Sequence, residues 1–337
     1  MKCLLILVPV ALALGSSAAE ERLPEGNAGL AAKYPGDRGI DRDPAVVFHE
    51  DFEAGSLAAL KPKWSDIGGK GTLKIAAGTP DGSSGRHCLQ ITATRGRDSG
   101  GHLFARFRGL DQAYMRYYAK FAADCGYTHH FVRLRAMANG PRWPEGNADK
   151  KPDPKCAGGV LEPDAWSTGF PPPGEWTLGT HWMDMRSWQG PGGTSFYPDN
   201  FTSKPPVRVV RDRWICLEVM MKMNSAPGKS DGEQAYWIDG KLAGHWGPGT
   251  VKGRWRRDKY IIDDAGTPFE GFRFRRDASL KFTRLWLLLY VSEEVFKRTE
   301  KYARAHPDYR VSTGKAGVLL DNIVVAGDYI GPVKQKE

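Results

Sequence analysis

The sequence has no closely spaced cysteine pair and, after its first 19 residues, no long apolar run. Five of the 337 residues are cysteine, and none shows the C-x-x-C spacing of common zinc sites. No later stretch approaches the roughly 20 apolar residues that span a bilayer, and neither an internal repeat nor a nucleic-acid-binding motif is present. We therefore expect a soluble globular protein without a membrane span, a nucleic-acid partner or a zinc motif.

Charged residues are few, and helical periodicity is scarce. Charged residues make up 26% of the chain and aromatic residues 11%, with 11 Trp, 40 Gly and 23 Pro. Strand-like alternation recurs wherever a pattern is legible, so the composition favours an all-β chain with long loops. The formal charge of +9 favours a polyanionic partner, which could be an acidic glycan, a nucleic acid or a membrane surface.

The first 19 residues narrow this choice of partner. Met1 and Lys2 give a short positive start, an apolar run extends from Cys3 to Leu14, and small residues follow at 17–19. This pattern is typical of a secretory signal peptide, so we expect a secreted or periplasmic protein. Because nucleic acids usually lie in another compartment, an acidic polysaccharide becomes the expected partner.

The rest of the chain divides by composition. Residues 20–44 are rich in Gly, Pro and charge and indicate an extended leader. Residues 45–332 carry about a dozen strand patterns and one short helix after Ser292, and residues 333–337 form a tail. This order predicts one domain of two packed antiparallel sheets, a jelly roll with long loops. Between residues 139 and 176 the strand patterns stop, and 14 of 38 residues are Gly or Pro.

Four cysteines remain after the signal peptide, in a compartment that permits disulfides. Cys125 and Cys156 both flank the loop-rich region, and they are the favoured pair. The alternative is that Cys88 and Cys216, which lie in apolar strand patterns, are buried free thiols.

The strand pattern at residues 214–224 places polar groups on one side. An apolar face is formed by Ile215, Leu217, Val219, Met221 and Met223. The opposite face carries Trp214, Glu218, Lys222 and Asn224. On a jelly roll that second face is either a concave ligand groove or a solvated surface.

A second candidate site lies at residues 127–135, where two histidines precede two arginines. Alternation places His129, Arg133 and Arg135 on one face. His130 falls on the opposite, apolar face as a hydrogen-bonded core residue, unless a bulge swaps the assignment. His129 is then the better general base near neutral pH, and the arginines suit bidentate binding of a carboxylate.

Further candidates lie at residues 181–197. If Met183 and Met185 belong to the core, His181 is buried. The side chains exposed by the same alternation are Trp182, Asp184 and Arg186. Tyr197, in a Gly-rich loop, either donates a proton or packs. No motif implies a catalytic cofactor, but carboxylates near both chain ends could form a structural calcium site: Asp51, Glu53 and Asp321.

These residue types suit the β-elimination that breaks uronic-acid polymers. The reaction removes a weakly acidic C5 proton beside a carboxylate, so the site must neutralise that carboxylate and stabilise an enolate-like charge. Arg, Lys or Asn can supply this, while His, Tyr or Lys can act as base and acid. A retaining glycosidase would instead need two carboxylates about 5–5.5 Å apart, and Glu218 has no acidic neighbour at i±2 or i±4.

Several segments follow one another in a characteristic order. They are Asp51-Phe52-Glu53, residues 114–121, Glu218-x3-Lys222-Met-Asn224, residues 231–233, residues 237–240 and residues 320–326. In this order they resemble the concanavalin-A-like jelly rolls of alginate and glucuronan lyases, polysaccharide lyase families 14 and 20. The resemblance covers residues 46–331, and it implies a two-sheet fold that cleaves acidic glycans in a concave groove.

The sequence departs from those lyases at the candidate catalytic residues. Their Gly-rich segment carries a lysine, whereas this chain has His129 and His130 there. Gly169 stands where an arginine would follow their serine, and His181 lies near the first tyrosine of their Tyr-x-Tyr strand. The resemblance therefore implies either an active site rebuilt around histidine or a protein that binds without cutting.

The resulting hypothesis is an exported lyase that acts on a uronate-containing glycan. His129 or His130 would be the base, and Tyr197 or His181 would protonate the leaving oxygen. The residues expected to hold the substrate are Arg133, Arg135, Glu218, Lys222, Asn224, Trp182 and Arg186. Two alternatives remain open: a carbohydrate-binding or adhesion jelly roll, and a hydrolase of a neutral glycan. The hydrolase would need a second carboxylate near Glu218, either Asp184 or Glu175.

Overall fold

The computed structural model describes residues 22–137, 153, 155–166, 169–190 and 192–334. Regular structure in these ranges is mostly β-strand, as the sequence predicts. The strands, in chain order, are β1 (Val46–Glu50), β2 (Asp66–Gly68), β3 (Leu73–Ala77), β4 (His87–Thr94), β5 (Gly100–Leu110), β6 (Gln112–Phe121), β7 (Arg133–Met137), β8 (Cys156–Asp164), β9 (Glu175–His181), β10 (Trp188–Gly190), β11 (Gly193–Ser195), β12 (Asp199–Phe201), β13 (Ile215–Lys222), β14 (Glu233–Ile238), β15 (Lys241–Trp246), β16 (Lys252–Arg256), β17 (Lys259–Ile262), β18 (Thr267–Pro268), β19 (Phe282–Tyr290) and β20 (Lys315–Ala326).

These strands form two large sheets and the small hairpin β10–β11. The eight-stranded sheet has the order β15-β14-β13-β6-β20-β4-β3, with β1 also paired to β20. The ten-stranded sheet has the order β18-β16-β17-β12-β9-β8-β7-β19-β5-β2. Among the described strands, β12 and β17 pair in parallel and the other pairs are antiparallel. The predicted jelly-roll architecture of two antiparallel sheets is therefore confirmed.

Alternating residues fill the space between the two sheets. Since side chains two residues apart share a face of a strand, each strand gives one set of side chains to this main core. From β6 these are Met115, Tyr117, Ala119 and Phe121, as the sequence pattern predicts. From β19 they are Leu285, Leu287 and Leu289. The remaining side chains of each sheet point to its outer face.

The outer face of the eight-stranded sheet is covered by both ends of the described chain. Residues 22–45 pack on it beside residues 327–333. The Trp237 indole donates to the Pro24 carbonyl (2.9 Å), and the buried Arg116 guanidinium pairs with Asp37 (2.5 Å). The first part of this cover consists of the 3-10 helices Gly26–Ala28, Leu30–Lys33, Pro35–Asp37 and Ile40–Arg42. The expected extended leader is therefore wrong over residues 22–44, because its few apolar residues are buried against the sheet.

The helix α1 (Glu293–Ala305) begins at the predicted N-cap. The Ser292 hydroxyl accepts a hydrogen bond from the Val295 N–H (3.4 Å), and Glu294 lies in the first turn, where the helix dipole favours a negative charge. Val295 and Phe296 pack into the main core. A fifth 3-10 helix spans Lys70–Thr72. None of the helices in the described ranges is long and apolar enough to cross a membrane.

The four cysteines of the described region are free thiols. The favoured Cys125–Cys156 disulfide is therefore wrong: Cys125 is buried in the main core, whereas Cys156 lies on β8 beside Arg135. The alternative holds for the other two, since Cys88 and Cys216 are buried and unpaired.

Candidate active site

A cavity of about 540 Å³ opens on the outer face of the ten-stranded sheet. Its walls come from the residues just before β7, the end of β8, the segment that follows β11, the turn before β17 and the start of α1. The polar side chains that line it include His129, His130, Glu162, Asp164, Tyr197, Asn200, Lys259 and Ser292. Three of the four predicted catalytic residues thus share one cavity.

The two histidines enter the cavity together because the strand is irregular there. The backbone N–H groups of His129 and His130 both donate to the Tyr290 carbonyl, at 2.9 and 3.2 Å. Phe131 and Val132 both pack in the main core, which breaks the alternation before β7 begins. The assignment of His130 to the apolar face is therefore wrong, and the irregularity that the sequence left open is present.

The two imidazole rings have different hydrogen-bond partners. Their centroids lie 4.2 Å apart in a stacked arrangement. The His130 Nδ1 lies 3.3 Å from the Glu162 carboxylate, and the His129 Nδ1 lies 3.0 Å from the Ser292 hydroxyl. A carboxylate only accepts, so a neutral His130 donates from Nδ1 and keeps an unprotonated Nε2. The Ser292 hydroxyl accepts from the Val295 N–H and can donate its own hydrogen to His129 Nδ1, and in that tautomer the His129 proton is on Nε2.

The surroundings keep His129 neutral. Burial, with the neighbouring His130 and Arg133, lowers the pKa of His129 to about 4. At neutral pH this ring therefore offers an N–H donor and is a weak base. The expectation that His129 is the better base is not supported by this environment, and His130 with its carboxylate partner is better placed for that role.

Aromatic rings form the rim of the cavity. Tyr197 is 42% exposed and stacks on Trp188, with ring centroids 5.9 Å apart. The Arg257 guanidinium lies over the other ring of this pair, 5.3 Å from the Trp188 centroid. Trp166 is 47% exposed and meets His129 edge-on at 5.6 Å. Exposed aromatic faces of this kind offer a large apolar contact area to a ligand.

Arg133, Arg135 and His181 lie on the same outer face, next to the cavity. Arg135 pairs across β7 and β8 with Gly158, which pairs with His181 on β9, so the two side chains share one row. Burial and the nearby arginines hold the pKa of His181 well below its usual range. Burial also lowers the pKa of Arg133 to about 10, opposed by the charge of Glu162, and this guanidinium remains a cation at neutral pH.

The polar residues of β13 belong to the other sheet. Glu218 accepts hydrogen bonds from the backbone N–H groups of Ile330 and Gly331, both at 2.8 Å. Asn224 is buried and bonds the backbone of Phe274 and Arg275. The alternation was predicted correctly, but the face is the covered outer face of the eight-stranded sheet, so the assignment of Glu218 and Asn224 to a groove is wrong.

Lys222 borders a different cavity, of about 900 Å³, on the eight-stranded sheet. Its ammonium pairs with Glu233 (2.7 Å), and His245 donates to the same carboxylate (2.8 Å). The hydrogen bond from His245 lowers the pKa of Glu233 to about 2. Lys222 is thus paired with a carboxylate on the eight-stranded sheet and does not line the histidine cavity. Its predicted convergence with His129 is wrong.

Trp182 and Arg186 are not among the residues that line the histidine cavity. β9 ends at His181, so the alternation does not continue, and Trp182 is buried with its indole N–H on Asp199 (2.7 Å). Arg186 lies over the Trp255 ring at 4.6 Å and pairs with Glu270 (2.8 Å). The predicted exposure of Trp182 is therefore wrong.

The three carboxylates assigned to calcium make other contacts. Glu53 accepts from the Arg86 N–H (2.6 Å), and Asp321 accepts from the Thr79 hydroxyl (2.9 Å). Burial, helped by the charges of Asp51 and Glu53, raises the pKa of Asp321 to about 8. Within the described ranges no three His, Cys, Asp or Glu side chains are arranged to hold a metal ion. A calcium ion at this margin stays a prediction.

Sequence reasoning missed the carboxylates of β8. Glu162 and Asp164 lie on this strand, in a stretch that was expected to contain no strand. The available signal was the run Ala-Gly-Gly-Val-Leu-Glu at 157–162, whose glycines hid a normal alternation. Lys259, which pairs with Asp164 at 3.3 Å, was not among the predicted site residues. Ser292 was recognised as a helix cap but not as a partner of His129.

No protein-family model and no curated protein sequence matches this chain. Solved structures do. The alginate lyase Aly36B, in complex with an alginate tetrasaccharide, superposes with a TM-score of 0.54 at 11% identity, over 87% of this chain and 99% of that one. The alginate lyase vAL-1 from Chlorella virus gives 0.53 at 11% identity, over 83% and 99%. The chain therefore has the jelly-roll fold of polysaccharide lyases.

Proposed function

We propose that this protein is a polysaccharide lyase that cleaves a uronate-containing glycan by β-elimination in the histidine cavity. The observation that carries the proposal is the pair of His130 and Glu162, which leaves an unprotonated imidazole nitrogen inside a cavity beside Arg133. The likeness to alginate lyases supplies the fold and adds support for an acidic polysaccharide as substrate.

The proton transfers follow from these positions. The Nε2 of His130 takes the C5 proton of the uronate, and Glu162 stabilises the imidazolium that forms. The electron pair left at C5 forms the C4–C5 double bond as the glycosidic oxygen leaves C4. The Tyr197 hydroxyl gives its proton to that oxygen. The products are an unsaturated uronide and a new non-unsaturated chain end, so atoms and charge balance.

Two donors stabilise the charge that develops on the uronate carboxylate. Arg133 is a cation close enough to influence the titration of His129, and neutral His129 offers its Nε2–H. Donors fixed by the fold are most effective where charge increases in the transition state. The aromatic rim formed by Trp166, Trp188 and Tyr197 would pack on the sugar rings, and export by the predicted signal peptide would bring the protein to such a polymer.

The test is the absorbance of the unsaturated uronide on a panel of alginate, glucuronan, pectate and glycosaminoglycans. We expect new absorbance with at least one polymer and a loss of about 100-fold or more in kcat for His130→Ala, since general base catalysis contributes about 10²–10⁴-fold. His306→Ala is the matched control, because His306 lies at the far end of α1 and bonds the Tyr302 carbonyl. Folded protein that produces no absorbance on any polymer contradicts the proposal.

A hydrolase is the second candidate, because Glu162 and Asp164 both line the cavity. Two residues apart on one strand, their side chains leave the same face of β8, and a glycosidase uses two carboxyl groups that flank the scissile bond. The carboxylates named from the sequence do not serve: Glu175 is buried, and Asp184 pairs with Arg273. Saturated reducing ends without uronide absorbance would select the hydrolase. Binding without any product would select a carbohydrate-binding protein.

A further inference from the structure

Three arginines lie side by side across the ten-stranded sheet. Arg284 on β19 is directly opposite Arg106 on β5 and directly opposite Arg135 on β7. Their chain neighbours Ala105, Leu134 and Leu285 pack in the main core, so the guanidinium groups point to the outer face. We call these three residues the arginine row. Arg133, two residues away on β7, lies between the row and the histidine cavity.

Two arginines of the row are buried cations without a carboxylate partner in the described ranges. Arg135 and Arg284 are 4% and 6% exposed, and their Nε atoms have no hydrogen-bond partner. The contact that Arg135 makes is from Nη2 to the Cys156 sulfur at 3.3 Å, a weak acceptor. In the described ranges neither guanidinium forms an ion pair with a carboxylate. Buried charges are normally paired, and like charges directly opposite on neighbouring strands destabilise a sheet.

A bound anion would supply the partner that Arg135 and Arg284 lack. The stacking of Arg133 on Trp286 (5.2 Å) stabilises one guanidinium outside the row, and Arg106 is exposed to solvent, so the two buried cations of the row are the ones without a carboxylate partner. Neighbouring strands are about 4.8 Å apart, so the row presents cations at intervals close to the length of one sugar ring. A polymer with closely spaced acidic groups matches this spacing.

We propose that the arginine row is a second anion-binding site, which holds carboxylate or sulfate groups of the same acidic glycan whose bond is cleaved at His130. This inference rests on the proposed function for the identity of the chain that reaches both places. Arg135 and His130 are five residues apart, which puts their Cα atoms at most about 16 Å from each other. Only an oligosaccharide long enough to span that distance occupies both sites.

The test compares long and short oligosaccharides on a protein that cannot turn them over. In a His130→Ala background, adding Arg284→Gln should raise the Kd of a ten-sugar oligouronate about tenfold, since a charge-assisted hydrogen bond contributes about 1.4 kcal/mol or more. The Kd of a disaccharide, which is too short to reach both sites, should change less than about twofold. Arg213→Gln is the matched control, because Arg213 is exposed and pairs with Asp239 on the other sheet. An unchanged Kd for the long oligouronate overturns the proposal.

A uronate-free sulfated oligosaccharide of equal length separates the two acidic groups. If Arg284→Gln weakens the binding of only one of the two ligands, the acidic group of that ligand is the one that the row binds. If the Kd of neither ligand changes, the proposal is overturned. Thermal unfolding separates binding from structure: a row held for ligand binding predicts an equal or higher Tm for Arg284→Gln, since a like-charge contact is removed. If Arg284→Gln lowers the Tm and weakens the binding of long and short oligosaccharides equally, Arg284 has a structural role and the proposal is overturned.

Cys156 gives a readout that needs no turnover. Its thiol contacts Arg135 and is partly exposed, whereas Cys88, Cys125 and Cys216 are buried. A bound ten-sugar oligouronate should slow alkylation of Cys156 several-fold, and the disaccharide should not. If the long ligand protects Cys156 but wild-type protein forms no unsaturated product, the lyase proposal fails and the anion site stands. If product forms without protection, the anion site fails and the lyase proposal stands.

Discussion

At the scale of single residues, three buried carboxyl groups have raised pKa values: Asp321, described above, and Glu218 and Asp199. Burial raises the pKa of Glu218 to about 7 and that of Asp199 to about 8, although each accepts hydrogen bonds from N–H donors that favour the charged form. Desolvation therefore outweighs the donors at both sites. Each group holds its proton more tightly in the folded protein than in the unfolded chain.

We expect the contribution of Glu218 to the stability of the folded state to disappear as pH rises from about 4.5 to about 7. A carboxyl whose pKa is raised on folding stabilises the native state fully below its unfolded pKa, and this contribution disappears as pH passes the folded pKa. For Glu218 the loss is on the order of 3 kcal/mol. Urea unfolding at pH 5 and pH 8 measures it.

Glu218→Gln isolates this residue, because the variant has no group that titrates there. The free energy of unfolding of the variant, relative to that of wild type, should be higher at pH 8 than at pH 5. If the difference in unfolding free energy between the two proteins is the same at pH 5 and pH 8, the pKa of Glu218 does not change on folding. The titration of Asp199 changes the stability of both proteins equally, so its effect cancels in the difference between them.

At the scale of elements, alternation identified strands whose side chains are large and distinctive. Residues 114–121 form β6 with the predicted inward face, and the cap at Ser292 starts α1. β8 was missed because Gly158 and Gly159 carry no side chain, so a pattern of apolar and polar residues cannot show. The positions of the two histidines depend on an irregular backbone that local sequence does not encode.

The N-terminal segment acts as a structural element through Asp37. Its carboxylate pairs with the fully buried Arg116 and accepts from the Asn322 amide (2.8 Å). Asp37 has a φ of +61°, a conformation that Asn also tolerates, so Asp37→Asn removes the charge with little change in backbone preference. We expect a loss of about 3 kcal/mol, since a buried cation without its partner is costly.

Asp41→Asn is the control for this variant, because Asp41 is exposed in the same segment. Chemical denaturation of the two variants beside wild type makes the measurement. Equal stabilities for Asp37→Asn and Asp41→Asn would mean that the buried pair adds nothing to the hold of the segment on the sheet.

At the scale of the whole molecule, the sequence could define the faces of each strand but not which outer face stays open. Both sheets turn polar side chains outward, as the patterns of β13 and of residues 129–135 predict. One of these faces is covered by segments from the two ends of the described chain, which no local pattern connects with β13. The site residues of β13 were therefore misplaced, while those near β7 were brought to a cavity.

The net positive charge should act on polymeric substrates over distance. With a formal charge of +9, kcat/KM for a polyuronate is expected to fall about tenfold between roughly 50 and 500 mM salt, because screening shortens the reach of the attraction. A trisaccharide carries less charge and should respond less. Initial rates over a salt series measure both, and equal salt dependence for the two substrates would exclude steering by charge.

The backbone donors that hold Glu218 come from Ile330 and Gly331, more than 100 residues later in the sequence. A polypeptide that stops short of them leaves a sealed acidic group with nothing to bind it and leaves Tyr114 and Trp237 uncovered. The fold is therefore complete only after residues 330 and 331 have been synthesised. Products truncated before residue 330 would be recognisable by their exposed aromatic surface.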